Sequence, residues 1–268
     1  MPDRAVPSTV VVVFGVVSLA GGFEASATPA EPNRTLQRHG EVVSLDELPV
    51  RTGTFGDVLS GQRKKLRGYP ARAVMNRLLP AGWADKEVVL RCRDGYAPRL
   101  PGRLFTRYDA LFAFGFADDA PFEADDGTTL GPFYVVWPMD AEVPNSAYAY
   151  QVVGVEVIGS AEAPPWLYPS QPPAVVEGAT LFRRHCISCH ALAGHGGRVG
   201  PELHEPVPVA AWVEPKWLRR WLLEPQSMRR GTPMPGLPDS LPNRDQIAER
   251  IVDYLVHLEA RSAGPGSR

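Results

Sequence analysis

The chain has 268 residues, which is enough for two compact domains, and 44% of them are hydrophobic and 22% charged. These fractions are ordinary for globular proteins and exclude a wholly disordered chain. The formal net charge of -2 argues against nucleic acid as a partner, because nucleic-acid-binding domains are usually strongly basic.

The first 27 residues have the pattern of an export signal. Arg4 precedes the apolar run VVVVFGVVSLA, and the small residues ASA at positions 25–27 fit a cleavage site. The run is shorter than the roughly 20 apolar residues that a spanning helix needs. We therefore expect a signal peptide over residues 1–27 and a periplasmic protein, with attachment to a membrane only if this segment stays uncleaved. The polar residues 28–40 are expected to be flexible.

Valine-rich and aromatic runs bounded by Gly, Pro or Asp predict strands in the region that follows. These runs cover residues 87–92, 132–138 and 150–159. Apolar residues at helical spacing predict two helices in the same region, over residues 71–79 and 103–114. Residues 41–160 are therefore expected to form one α+β domain, with a mixed sheet and helices.

A proline-rich segment separates this region from one without strand signals. Residues 161–174 contain five prolines, a composition typical of a semi-rigid linker, which we place at 161–173. Beyond it, apolar periodicity predicts three helices, over residues 174–185, 215–224 and 243–260. The sequence thus predicts two domains, the second all-α over residues 174–260, followed by a disordered tail over 261–268.

Two of the three cysteines form the sequence Cys186-Ile187-Ser188-Cys189-His190. Cys-x-x-Cys-His is the signature of c-type haem attachment. Two thiols at this spacing reach the vinyl groups on one edge of a porphyrin, and the next residue folds under the ring. His190 then offers its imidazole to the iron as an axial ligand. The motif predicts one covalently bound haem c.

Two other uses of the cysteine pair remain as alternatives. A structural zinc site needs four ligands, commonly from two pairs, so His195 or His204 would have to contribute. A redox-active disulfide between Cys186 and Cys189 would usually lie near a βαβ pattern, which this sequence lacks.

A methionine is the candidate for the sixth iron ligand. RRGTPMPGLP places Met234 in a Pro- and Gly-rich loop, where a thioether would complete a Met/His pair and raise the reduction potential. Met228, in EPQSMRR, competes with it. Met234 is preferred because Pro233 and Pro235 restrict its loop. An iron with an open sixth position would instead suit a haem enzyme or a gas sensor.

Residues 174–260 resemble a class I c-type cytochrome. The matching segments are EGATLFRRHCISCH, GPEL, WLRRWLLEPQSMRRGTPMP and IVDYLVHL, in this order. The resemblance implies a cytochrome c fold in which the first and last helices cross. It places Gly178 and Phe182 of the first helix against Tyr254 of the last.

The same resemblance bears on the surroundings of the haem. It implies that the carbonyl of Pro201 orients the imidazole of His190, a contact that fixes the tautomer of a ligand. Two interpretations stay open for Trp217 and Trp221, which either wall the haem pocket or fill the core.

Residues 41–159 resemble the molybdopterin-binding domain of sulfite-oxidase-type enzymes. The resemblance is carried by VVSLDEL, LRGYPARAVMNRLL, LRCRDGYAPRL and DDGTTLGPFYVVWP. It implies a cysteine thiolate on molybdenum, ahead of the DGY motif. Here Cys92 stands two residues before Asp94, and no cysteine occurs between Glu41 and Arg91. We therefore expect a degenerate relative without molybdopterin, in which Cys92 is a buried core residue.

These features favour a periplasmic electron carrier over a catalyst. Its single haem would pass electrons between periplasmic redox proteins, and the N-terminal domain would serve as a docking or substrate-presenting module. The alternative is a molybdenum-dependent, sulfite-oxidase-like dehydrogenase with a fused haem c as electron acceptor.

Overall fold

Two β-sheets make up most of the N-terminal part of the structure, a computed structural model that describes residues 34–57, 61–158 and 164–262. In chain order the strands here are β1 (Thr35–Arg38), β2 (Glu41–Ser44), β3 (Arg51–Gly56), β4 (Arg63–Pro70), β5 (Glu87–Cys92), β6 (Arg99–Pro101), β7 (Leu111–Phe116), β8 (Tyr134–Val136) and β9 (Val152–Ile158). One sheet has the order β2-β1-β9-β5-β6 and the other β3-β4-β7-β8. The β1–β9 pair is parallel, whereas the other pairs are antiparallel, so the first sheet is mixed as expected.

Helices α1 (Ala71–Leu78) and α2 (Arg103–Arg107) pack with these sheets. Their buried apolar residues join a core that reaches from β1 to β9 and includes the fully buried Trp137. The α+β character expected for this region is therefore present.

Two local expectations are wrong here. Residues 35–38, expected to be flexible, form β1, because they pair with β2 on one side and β9 on the other. The helix expected over 103–114 ends at Arg107, and residues 111–116 form β7 instead. The run LFAFGF contains Gly115, which disfavours a helix, and its aromatic residues suit a buried strand that pairs with β4 and β8.

Four helices dominate the C-terminal part. They are α3 (Pro173–His185), α4 (Pro215–Leu223), α5 (Pro225–Met228) and α6 (Arg244–Ser262). A hairpin of two-residue strands, β10 (Ala191–Leu192) and β11 (His195–Gly196), interrupts the otherwise helical arrangement. The expected helical cytochrome region is thus present, with this small hairpin as an addition to it.

The proline-rich segment is fixed to the C-terminal core where it is described. The side chain of Leu167 is fully buried, and its carbonyl accepts a 2.7 Å hydrogen bond from Arg183 on α3. Tyr254 on α6 donates to the carbonyl of Trp166 at 3.1 Å. The described residues, 34–57, 61–158 and 164–262, all belong to one compact unit, so the expected split into two domains is not confirmed.

Residues 261 and 262, expected to belong to a disordered tail, are part of α6. The signal peptide expected at 1–27, residues 28–33 of the segment expected to be flexible, and the rest of the tail lie outside the described residues. Among the helices that the structure describes, none has the length and apolar character needed to cross a membrane.

Candidate haem site

The CISCH segment forms one tight turn at the end of α3. The amide of Cys186 donates to the carbonyl of Phe182 at 2.8 Å, which extends the helical hydrogen bonding by one residue. The amides of Cys189 and His190 then both donate to the carbonyl of Cys186, at 3.1 and 2.9 Å. Because the segment turns back on itself, both thiols and the imidazole come from the same turn.

His190 is held by the segment that follows the hairpin. Its Nδ1 lies 2.9 Å from the carbonyl oxygen of Pro201. A carbonyl only accepts, so Nδ1 carries the proton and Nε2 is left with its lone pair free for a metal. Gly200 makes room for the ring, since a Cβ at this position would lie 2.6 Å from Nδ1. The structure therefore brings together His190 and Pro201 in the arrangement that the resemblance implies.

Glu202 braces the same segment, a role that the sequence analysis missed. Its carboxylate accepts hydrogen bonds from the amides of Ala193, Gly194 and His204 at 2.8 to 3.0 Å, and a further one from Leu203. Partial burial alone would raise the pKa of Glu202, but the donating amides lower it below its ordinary value. The carboxylate thus ties the turn after β10 to the residues that follow Pro201.

The two thiols are free and partly buried. Burial, and after it the neighbouring Cys189, raise the pKa of Cys186 to about 12. Burial followed by the charge of Asp94 also raises the pKa of Cys189. Redox-active cysteine pairs lower the pKa of the attacking thiol, so these environments do not suit a disulfide exchange site.

The structure also speaks against the zinc alternative. Within residues 34–57, 61–158 and 164–262, no three His, Cys, Asp or Glu side chains are grouped so that they could hold a metal ion. His195 and His204, which a zinc site would need, instead face Trp166 at ring distances of 6.0 and 5.7 Å.

Met234 lies in a separate loop that is anchored to α4 and α5. Its amide donates to the hydroxyl of Thr232 at 3.3 Å, and the side chain of Gln226 donates to the carbonyl of Thr232. The amide of Leu237 donates to the carbonyl of Leu222 at 2.8 Å, which fixes the far end of the loop. Met234 and Met228 are both partly buried, so burial does not separate the two candidates.

The two tryptophans of α4 are not fully buried. Trp217 is 41% exposed and Trp221 partly buried, whereas Leu218 between them is buried. Val199 and Trp212 are exposed large side chains of the same C-terminal part. Exposed apolar side chains in the same part of the chain as the two thiols and the imidazole are compatible with a porphyrin, which is itself large and apolar. The donor set and the surroundings therefore fit a haem.

Cys92 has the environment of a core residue. Its side chain is only 7% exposed, and burial followed by the charge of Asp94 raises its pKa to about 12. A thiol in such surroundings stays protonated at neutral pH, as is typical of a buried structural cysteine. The structure thus gives Cys92 the place that the sequence predicts for it.

Comparison with known proteins agrees with this geometry. Residues 175–259 match the family model Cytochrome c. A segment of 89 residues is 32% identical to "Cytochrome c oxidase subunit 2" of Alkalihalophilus pseudofirmus, over 31% of this chain and 25% of that protein. The chain thus spans about a quarter of the length of this curated relative. Together the two matches support a role in haem electron transfer, and residues 175–259 form a c-type cytochrome domain, which implies haem c.

Proposed function

We propose that this protein is a periplasmic monohaem c-type cytochrome that transfers single electrons between redox proteins. The observation that carries the proposal is the pairing of His190 Nδ1 with the Pro201 carbonyl at 2.9 Å, on the same turn as Cys186 and Cys189. This pairing leaves Nε2 as the metal-binding atom beside two thiols at the haem-attachment spacing.

Each residue of the site has a separate task in this function. The haem supplies one-electron redox chemistry when it is bound. Cys186 and Cys189 would hold it covalently, and His190 and Met234 would supply the two protein ligands of its iron. The Pro201 carbonyl keeps the imidazole in one tautomer and makes it a stronger donor. With two protein ligands, the iron would have no place for small molecules, as an electron carrier requires.

The N-terminal region would act as a docking or substrate-presenting module. The alternative of a molybdenum enzyme finds no support at Cys92, since this residue is buried in the core and stands only two residues before Asp94 of the DGY motif. The relative's name concerns an oxidase subunit, and for this chain it supports electron exchange with other redox proteins without naming them. Export rests on the sequence of residues 1–27 alone.

An electrochemical titration of the full chain, made in a host that matures c-type cytochromes, tests this function. The visible spectrum should change with a single midpoint and a one-electron slope, and carbon monoxide should leave the reduced spectrum unchanged. Ready binding of carbon monoxide by the unmutated protein would instead indicate an open iron position and a haem enzyme or sensor.

A further inference from the structure

The turn between β5 and β6, residues 93–98, is a rigid feature of the N-terminal part. The amide of Cys92 donates to the carbonyl of Tyr96 at 2.9 Å, and the amide of Gly95 donates back to the carbonyl of Cys92 at 3.1 Å. The Asp94 carboxylate accepts a 2.8 Å hydrogen bond from the amide of Tyr96. Gly95 adopts φ +91, a conformation that glycine reaches without strain. This turn is called the β5–β6 turn below.

The β5–β6 turn is hydrogen-bonded through its backbone to residues 186–201, which carry the haem-attachment residues and form the haem-attachment loop. The amide of Ala97 donates to the carbonyl of Ser188 at 2.8 Å, and Ser188 lies between the two cysteines. The amide of Arg198 donates to the carbonyl of Gly95 at 2.8 Å. Arg198 lies two residues before Gly200, which contacts the His190 ring. Both arms of the haem-attachment loop are therefore tied to the same turn.

A side chain from β5 adds a third link. Nη1 of Arg91 donates to the carbonyl of Gly196 at 3.2 Å, on the second strand of the hairpin after the haem motif. Its other guanidinium nitrogens bind Glu156 on β9 at 2.8 and 3.1 Å, which fixes the side chain in the first sheet. Hydrogen bonds from a guanidinium held by a carboxylate are directional and strong. The first sheet thus reaches the haem-attachment loop through Arg91.

Tyr96 places a phenol beside the attachment residues. Its hydroxyl lies close enough to Ser188 and Cys189 to interact with both, and it donates to the carbonyl of Ser146 at 3.2 Å. A side chain of the N-terminal part thus lies next to the segment that joins the two cysteines.

We propose that the β5–β6 turn is a positioning element of the haem site, through which the N-terminal part sets the reduction potential. The inference rests on the proposed attachment of haem at Cys186 and Cys189. Reduction potentials of haems depend on solvent exposure and on the hydrogen bonds around the ligands. The turn itself holds Ser188 and Arg198, and Arg91 at the end of β5 adds the link to Gly196. A turn that keeps this segment in place limits the access of water to the haem edge, and less water favours the reduced iron, which carries less charge.

Two variants in the full-length protein test this proposal. Gly95→Ala places a Cβ 3.1 Å from the Arg198 backbone and strains the turn, and Gly127→Ala is its matched control. Gly127 has a similar φ of +82, but no atom lies within 4 Å of where a Cβ would stand. Gly127→Ala therefore strains the backbone without making a new contact. Tyr96→Ala removes the phenol beside Ser188 and Cys189, and Tyr108→Ala removes a partly buried tyrosine that packs on Trp137 instead.

The midpoint potential and amide hydrogen exchange are the readouts. Gly95→Ala and Tyr96→Ala should lower the midpoint potential relative to their controls. Gly95→Ala should also speed exchange of the Arg198 amide, roughly five-fold for the loss of one hydrogen bond. If both variants keep the potentials and exchange rates of Gly127→Ala and Tyr108→Ala, the proposal is overturned. Amide exchange can be measured without haem. An unchanged exchange rate of Arg198 would therefore refute the role of the turn, whereas a chain without haem would refute the proposed function.

Discussion

Gly178 on α3 lies directly against Tyr254 on α6, and a Cβ at position 178 would come within 2.7 Å of the Cβ of Tyr254. The carbonyl oxygen of Arg250 on α6 is closer still. One turn further along α3, the ring of Phe182 meets that of Tyr254 with centroids 5.8 Å apart. The crossing of the two helices, implied by the resemblance to class I cytochromes, is thus confirmed. It fixes the end of α3 from which the haem-attachment turn departs.

Replacing Gly178 by alanine should destabilise this crossing. Alanine favours a helix more than glycine does, by about 1 kcal/mol, but here its methyl group collides with backbone and Cβ atoms that cannot rotate away. We expect a loss of about 1–3 kcal/mol in the free energy of unfolding, measured by denaturant titration. Thr180→Ala, on the exposed side of the same helix, should change stability by less than about 0.5 kcal/mol. Equal stability of both variants would contradict the close crossing.

Met234→Ala should open the sixth coordination position of the iron. A thioether ligand favours the reduced state, so its loss should lower the midpoint potential and admit carbon monoxide. The weak absorption near 695 nm that marks Met-ligated oxidised haem in the resembled family should vanish.

Met228→Ala is the matched control, because Met228 is also partly buried in the same part of the chain. It should keep the absorption band and should exclude carbon monoxide. If Met228→Ala abolishes the band and Met234→Ala keeps it, the ligand is Met228. The protein would then still be an electron carrier, since a methionine would still occupy the sixth position.

Glu202 should contribute stability that depends on pH. Its folded pKa lies below the ordinary value of 4.5, so its contribution is fully present above pH 4.5 and is lost as the pH falls through the folded pKa. Glu202→Gln should be less stable than the unmutated protein at pH 7, by roughly 1–3 kcal/mol for weakened amide hydrogen bonds. This difference should shrink below pH 4.5 in denaturant titrations. A constant difference across that range would show that the carboxylate charge is not what binds the amides.

The helices around the site could be predicted from the sequence because their apolar spacing is local information. The helices predicted over 174–185 and 215–224 agree with α3 and α4 to within one residue at each end. The predicted strand over 87–92 coincides with β5. For residues 103–114 the pattern failed, since alternation and helical spacing are hard to separate in a short aromatic run.

The contacts that join distant segments could not be predicted in this way. The motif CISCH gives the residues of the site, but nothing in the sequence pairs Ala97 with Ser188 or Arg91 with Gly196. These hydrogen bonds depend on how two regions meet in space. The dipeptide at Asp94 and Gly95 was a usable signal for a turn, although it does not reveal what the turn contacts.

Purified full-length protein should contain iron but no molybdenum. The reason is that the resembled site needs a cysteine ligand ahead of the DGY motif, whereas no cysteine occurs between Glu41 and Arg91 and Cys92 is a buried core residue. Elemental analysis measures both metals, and Cys92→Ala should leave the iron content unchanged. Stoichiometric molybdenum, or reduction of the haem by sulfite, would contradict this prediction and favour the dehydrogenase.

Covalent attachment of haem through Cys186 and Cys189 is the claim on which the account depends. The most direct measurement is haem staining after denaturing gel electrophoresis of protein made in a host that matures c-type cytochromes. A stained band is expected at the size of the polypeptide, and it should weaken or disappear in Cys186→Ala and persist in Cys92→Ala. A polypeptide that loses all haem on denaturation, or a Cys186→Ala variant that stains as strongly as the unmutated protein, would contradict it.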